Sequence, residues 1–315
     1  MNNKLKGGVV VFLGACSFGL LSTIVKTAYS NGYSLGDITG SQAFFGMLIL
    51  WTLYLFQTRI LARRQPKTES KEKTIATTKT AAWKIMGAGV FTGLVSVFYY
   101  KCVGLIPASI AIILLMQYLW MSIVLDFIIF RKKPARIQLL SASVVLVGTV
   151  FAGGIFNASV TLNWEGIAYG MLAALCYSLF VLTSGRVGND YLVLKKSALM
   201  ISGACILIFL IFPPLFFFDG RIIGSGLYKW GLVLALLGTV IPPAFFSYGM
   251  PKTGISLGAI LSAAELPVAV VSSCLILQEE VKPLQWLGVA IILLAIISTN
   301  IRFNSSKKQT ADSID

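Results

Sequence analysis

Apolar residues in this chain come in long stretches separated by short polar segments. The stretches cover roughly 7–28, 38–57, 82–100, 106–130 and 137–155, then 164–185, 196–218, 228–249, 255–277 and 284–302. Most are close to the ~20 residues an α-helix needs to cross a bilayer. They are too long, and alternate too little in polarity, for membrane-barrel strands of about 9–11 residues. In lipid a helix satisfies its backbone donors and acceptors internally, which an open strand cannot do. The pattern therefore predicts an all-α membrane protein with ten transmembrane helices. Residues 1–157 and 158–303 form its two halves, and 304–315 a polar cytoplasmic tail. The first run follows Lys4 and Lys6, as the apolar region of a signal peptide would. It is long enough to span and has no clear A-x-A cleavage site, so it is expected to be retained.

Charge adds orientation. Only 12% of residues are charged, against about 25% in soluble domains. The net charge of +14 raises nucleic acid as a partner, but the basic residues sit between apolar runs, without zinc-ligand spacing or an aromatic RNA-binding motif. With the N-terminus in the cytoplasm, all 26 Lys and Arg residues except Lys26, Lys101, Arg221, Lys229 and Lys282 fall on the cytoplasmic side. That excess predicts a multi-pass protein of the cytoplasmic membrane with both termini and the Lys-rich 59–83 loop inside. The absence of histidine removes imidazole catalysis, ligation and proton relays together. Cys16, Cys102, Cys176, Cys205 and Cys274 show no C-x-x-C spacing and read as packing residues. No metal, cofactor or obligate protein partner is expected.

The halves repeat. "FYYKCVGLIPASIAIILLMQ" at 98–117 lies over "FSYGMPKTGISLGAILSAAE" at 246–265, placing Phe98 on Phe246, Tyr100 on Tyr248 and Gln117 on Glu265. A half of five spans, an odd number, enters the membrane inverted relative to its partner, an arrangement that transporters use around a midplane site. Glu265 is the deepest ionisable residue, in "GAILSAAELPVAVV". A charge there costs at least a few kcal/mol, so Glu265 must face a cavity, pair with a cation or be protonated. The bland alternative is a protonated carboxyl bonded to a neighbouring helix. Pro267 withholds a donor from the Ala263 carbonyl, and Pro242 and Pro243 withhold donors from Gly238 and Thr239. Broken helices of this kind line cavities or form gates, or are simple kinks packed by their neighbours. Gln117, Tyr118 and Trp120 cluster at the midpoint of the fourth run, with Tyr177, Phe18 and Tyr248 at comparable depths in other runs. Together these suit an aromatic cavity with a few polar groups. Tyr99 and Tyr100, near the end of the third run, read as interfacial anchors. Asp126 is expected to pair with a basic residue at the inner surface, and Asp37 to cap the second span.

At these residues the chain resembles the EamA-type ten-helix transporters of the drug/metabolite transporter superfamily, from about residue 7 to 302. The likeness rests on the two repeats, on "SFGLLSTIVK" at 17–26, and on the closing segment with Glu265, Pro267, Glu279, Glu280, Gln285 and Gly288. Leu266 separates a Glu and Pro that are commonly adjacent in that family, and Gln42 stands where an Arg is common. The resemblance implies a cofactor-free secondary transporter of small polar or amphipathic metabolites, amino acids or related compounds, with export favoured. The small-molecule substrate would occupy a central cavity and be moved by alternating access, with protons as a candidate coupling ion. The rivals are a membrane-embedded enzyme and a non-transporting receptor. The first lacks His, H-E-x-x-H, a Walker loop and an acidic metal cluster, and the second has no need of an inverted repeat.

Overall fold

The apolar runs become helices because lipid offers no partner to an unpaired backbone group. A computed structural model describes residues 3–64, 80–106, 108–131, 133–134, 136–152, 163–276, 278 and 281–311, and none of these is in a strand. The loop residues 65–79, and Glu279 and Glu280 of the closing segment, lie outside the described residues. The first half comprises α1 (Asn3–Gly19), α2 (Leu21–Ser30), α3 (Leu35–Arg64), α4 (Ala82–Leu105), α5 (Ala108–Met116), α6 (Tyr118–Phe130) and α7 (Arg136–Ala152). The second comprises α8 (Trp164–Arg186), α9 (Val193–Ile211), two short turns of helix at Leu215–Phe217 and Arg221–Gly224, α10 (Leu227–Leu234), a π-helical segment Ala235–Val240, α11 (Ile241–Thr253), α12 (Ile255–Ser262), α13 (Glu265–Ile276) and α14 (Pro283–Ala311). Taken through their breaks, eight helices among the described residues are long and apolar enough to cross a membrane. Two shorter apolar helices, Gln138–Ala152 and Pro283–Ile297, stand where the fifth and tenth apolar runs were read.

Local chemistry sets the ends. Ser34 Oγ accepts from the Asp37 amide and Asp37 Oδ2 accepts from the Ser34 amide, both at 3.2 Å, a reciprocal box that starts α3. Asp37 thus sits in the first turn, and Ser34 holds the cap position. Helix α9 stops at Ile211, short of the 218 read from hydropathy. Pro213 forces Phe212 into an extended conformation (φ −122°, ψ 94°), and neither Pro213 nor Pro214 has an amide to continue the ladder. Helix α14 continues past the predicted start of the tail, to Ala311.

Packing repeats with the halves exchanged. Helix α1 packs on α11 as α8 packs on α4, and α13 packs on α1 as α6 packs on α8. Helix α9 lies on α4 as the α10 and π-helical segments lie on α3, while α3 meets α9 and α7 meets α14 across the divide. The α4–α9 contact brings backbones together. A Cβ on Gly89 would lie 1.8 Å from the Met200 carbonyl oxygen, and one on Gly203 would lie 2.0 Å from that of Met86. Lipid tails give apolar helices no reason to associate, so close approach at small residues supplies the cohesion.

Candidate functional site

Three apolar runs, besides the one holding Ala235–Val240, are interrupted within their length. Between α5 and α6 the Gln117 amide donates to the Leu114 carbonyl at 3.1 Å, a bond three residues back where an α-helix would use four. Its repeat counterpart lies between α12 and α13, where the Ala263 and Ala264 amides make the same tighter turn, to Ile260 and Leu261. The Ala263 carbonyl that Pro267 cannot reach is taken by the Leu266 amide at 3.2 Å, so this acceptor is already engaged. Between α1 and α2 the break falls at Leu20. Gly19 there lies against the backbone of Glu265: a Cβ would stand 2.3 Å from the Glu265 carbonyl oxygen.

This contact sets the Glu265 side chain at the start of α13, in a cavity of about 50 Å³. Its walls come from both halves: Phe18 and Ser22 from α1 and α2, Ser96, Tyr99 and Tyr100 from α4, Met116 from α5, Tyr177 from α8 and Glu265 from α13. Glu265 is 6% exposed. Tyr177 Oη donates to its Oε2 at 3.1 Å, while Oε1 is buried with no hydrogen-bond partner among the described residues. Tyr177 is held in a train of rings. Its centroid is 4.3 Å from Tyr118, 5.8 Å from Phe18 and 6.0 Å from Phe180. Tyr118 stands behind it, fully buried, with its hydroxyl 3.4 Å from the Ala259 carbonyl. On the opposite wall Tyr100 Oη donates to Gln42 Oε1 at 2.9 Å, and Tyr29 Oη donates to the Tyr100 carbonyl at 3.2 Å.

Of the residues singled out from sequence, Glu265, Tyr177 and Phe18 meet at the cavity, and Tyr118 supports them. Gln117 is turned elsewhere: its Nε2 donates to the Ile113 carbonyl at 3.0 Å, and its Oε1 accepts from Trp120 Nε1 at 2.9 Å. Trp120 is 41% exposed. Tyr248 stacks under the Lys252 ammonium, 3.1 Å from its ring centroid, away from the cavity. Pro242 and Pro243 are buried at the start of α11 and Pro267 in the first turn of α13, and none of the three lines the cavity. The π-helical segment preceding the paired prolines is nonetheless bound to the site. Its Leu237 carbonyl accepts from Ser17 Oγ at 2.7 Å, and Gly238 lies against Leu21 and the Gln42 amide.

Tyr99 and Tyr100 depart from the interfacial reading. Helix α4 runs on to Leu105, five residues past Tyr100, so both tyrosines are buried within the span. Sequence reasoning also passed over Ser22 and Ser96. Val95, Ser96, Tyr99 and Tyr100 follow the i, i+1, i+4, i+5 spacing of one helix face, a signal that would have found Ser96. Asp126 meets its expected cation: Arg186 Nη2 lies 2.5 Å from its Oδ1, joining α6 to α8, and the guanidinium sits 3.6 Å from the Phe130 centroid. The opposite ends of the helices carry a more exposed pair, Asp37 with Arg221 at 3.2 Å.

Comparison with known proteins gives two matches to one family. Residues 5–154 and 164–301 each match the profile of the EamA-like transporter family. No curated protein sequence matches the chain. A solved crystal structure has the same fold, with a TM-score of 0.69 and 13% identity over 93% of this chain and 96% of the other.

Proposed function

The chain belongs to the EamA-like transporter family, and from that premise we propose that it is a secondary transporter working by alternating access around the Glu265 cavity. Membership makes it a multi-pass membrane protein of a transporter family, which supports transport over the rival enzyme reading. The finer reading rests on one observation: a buried carboxyl group, half satisfied, in a cavity walled by helices of both repeats. Counting Gln138–Ala152 and Pro283–Ile297 as spans gives five per repeat, and five inverts the second repeat relative to the first. Two similar halves of opposite orientation can exchange conformations, giving inward-open and outward-open states of similar energy. A small amphipathic metabolite bound between them is then carried without a cofactor. Export across the cytoplasmic membrane, with both termini in the cytoplasm and protons as coupling ion at Glu265, completes the reading. The test is flux into liposomes containing this protein alone, across amino acids and biogenic amines, with and without a pH gradient. Saturable, protein-dependent flux of a member of the panel is expected. Flux no greater than that of empty liposomes throughout would defeat the reading.

A further inference from the structure

The cavity's charge inventory narrows the substrate. Among the described residues, those lining it include one acid, Glu265, and neither lysine nor arginine. The remaining polar groups are hydroxyls: Ser22, Ser96, Tyr99, Tyr177, and Tyr100, which is already committed to Gln42. An ionised carboxylate in such a place has no countercharge among the described residues of its wall, and burying an unpaired charge is among the most costly events in a protein. A bound cation removes that cost. A bound anion adds a second negative charge in a medium that screens poorly. A zwitterionic amino acid would satisfy Glu265 with its ammonium and leave its own carboxylate facing only hydroxyls and carbon.

The rings point the same way. Phe18, Tyr99 and Tyr177 line the cavity beside Glu265, and aromatic faces attract cations, most of all desolvated ones. Most of the wall is hydrocarbon, from residues such as Leu115, Met116 and Ile112, so its chemistry suits an apolar group behind the charged head. We propose that the substrate class is the organic monocation: a protonated amine on an aromatic or aliphatic body, its ammonium seated on the free Oε1 of Glu265. This deepens the transporter reading and rests on the same cavity being the transport site.

A proton and an ammonium compete for that oxygen. Because Glu265 holds one or the other, each monocation that binds the protonated site displaces one proton, which is the stoichiometry of an antiporter. Among the described residues, the titratable groups facing Glu265 are the phenols of Tyr99 on α4, Tyr118 on α6 and Tyr177 on α8. Lys26 on α2 is exposed, and Cys16 on α1 is not among the lining residues.

The experiment compares two molecules with one body. Phenethylamine and L-phenylalanine differ by a carboxylate, and each is titrated calorimetrically against the full-length protein in detergent, where no flux is required. Phenethylamine is expected to bind at least tenfold more tightly than phenylalanine, and Glu265→Gln to weaken the amine at least tenfold. Wild-type protein in dilute buffer gives a readout that needs no variant: adding amine should release protons, and acidification should weaken the amine. Phenylalanine binding as tightly as the amine, or amine binding that neither responds to pH nor releases protons, overturns the assignment. Amine binding with these properties but without flux in liposomes would uphold the cation site and defeat the transporter reading. Flux of phenylalanine without amine binding would do the reverse.

Discussion

Glu265 depends for its position on a residue with no side chain. Gly19 is the point where the break between α1 and α2 meets the break between α12 and α13, and the Glu265 carbonyl occupies the place a Cβ would take. Gly19→Ala must therefore push the two breaks apart. Introducing a methyl where backbone atoms already fill the space typically costs about 1–3 kcal/mol. The expected result is a lower melting temperature in detergent and slower transport by the surviving protein. An unchanged melting temperature and flux would show that the two breaks are not held in register by this contact. At this scale the sequence showed half of the site. Glu265 was legible because a lone acid at midspan has no cheap explanation. Phe18 and Tyr177 were legible by their depth. The Gln42–Tyr100 bond was not, because its partners lie 58 residues apart on different helices and nothing in either segment alone reports the other.

The apolar runs gave the helices, because length and hydropathy alone decide what can span. They did not give the interruptions, which divide what they span. The break at Gln117 has no proline or glycine to announce it, and only its register with Glu265 in the repeat made it conspicuous. Span eight is the reverse case. Pro242 and Pro243 announced a break, and the structure answers with π-helical turns at Ala235–Val240 followed by a fresh helix start. Insertions of this type widen a helix locally and are frequent at functional sites. Here the widened turn touches Leu21 and Gln42, which ties the cavity wall to span eight. Replacing both prolines with alanine restores two amides and favours a regular helix. The double variant is expected to fold while its transport falls roughly tenfold, as hinge changes alter turnover without dismantling a site. Measured flux equal to wild type, with the same thermal stability, would reduce the break to a packing feature.

Across the whole molecule, the exchange symmetry of the helix contacts gives the account its mechanism. The main pairings that the first half makes have images made by the second, which is what the proposed exchange of inward-open and outward-open states requires. The ion pairs lie where such a trade would be felt: Asp126 with Arg186, the acid buried at 3% exposure, near one end, and Asp37 with Arg221 near the other. Sequence revealed the repeat through its order of elements more than through identity, since apolar helices resemble one another by composition alone. The central claim, that one cavity opens in turn to each side, is tested most directly at Ser96, a small partly buried residue on the cavity wall. In a variant with Cys16, Cys102, Cys176, Cys205 and Cys274 replaced, a single cysteine at position 96 is labelled with a membrane-impermeant maleimide applied to one side of sealed proteoliposomes of fixed orientation. The account predicts labelling from each side, with the ratio of the two rates shifting when a transported substrate is placed on one side. Labelling from a single side under every substrate and pH condition would contradict it.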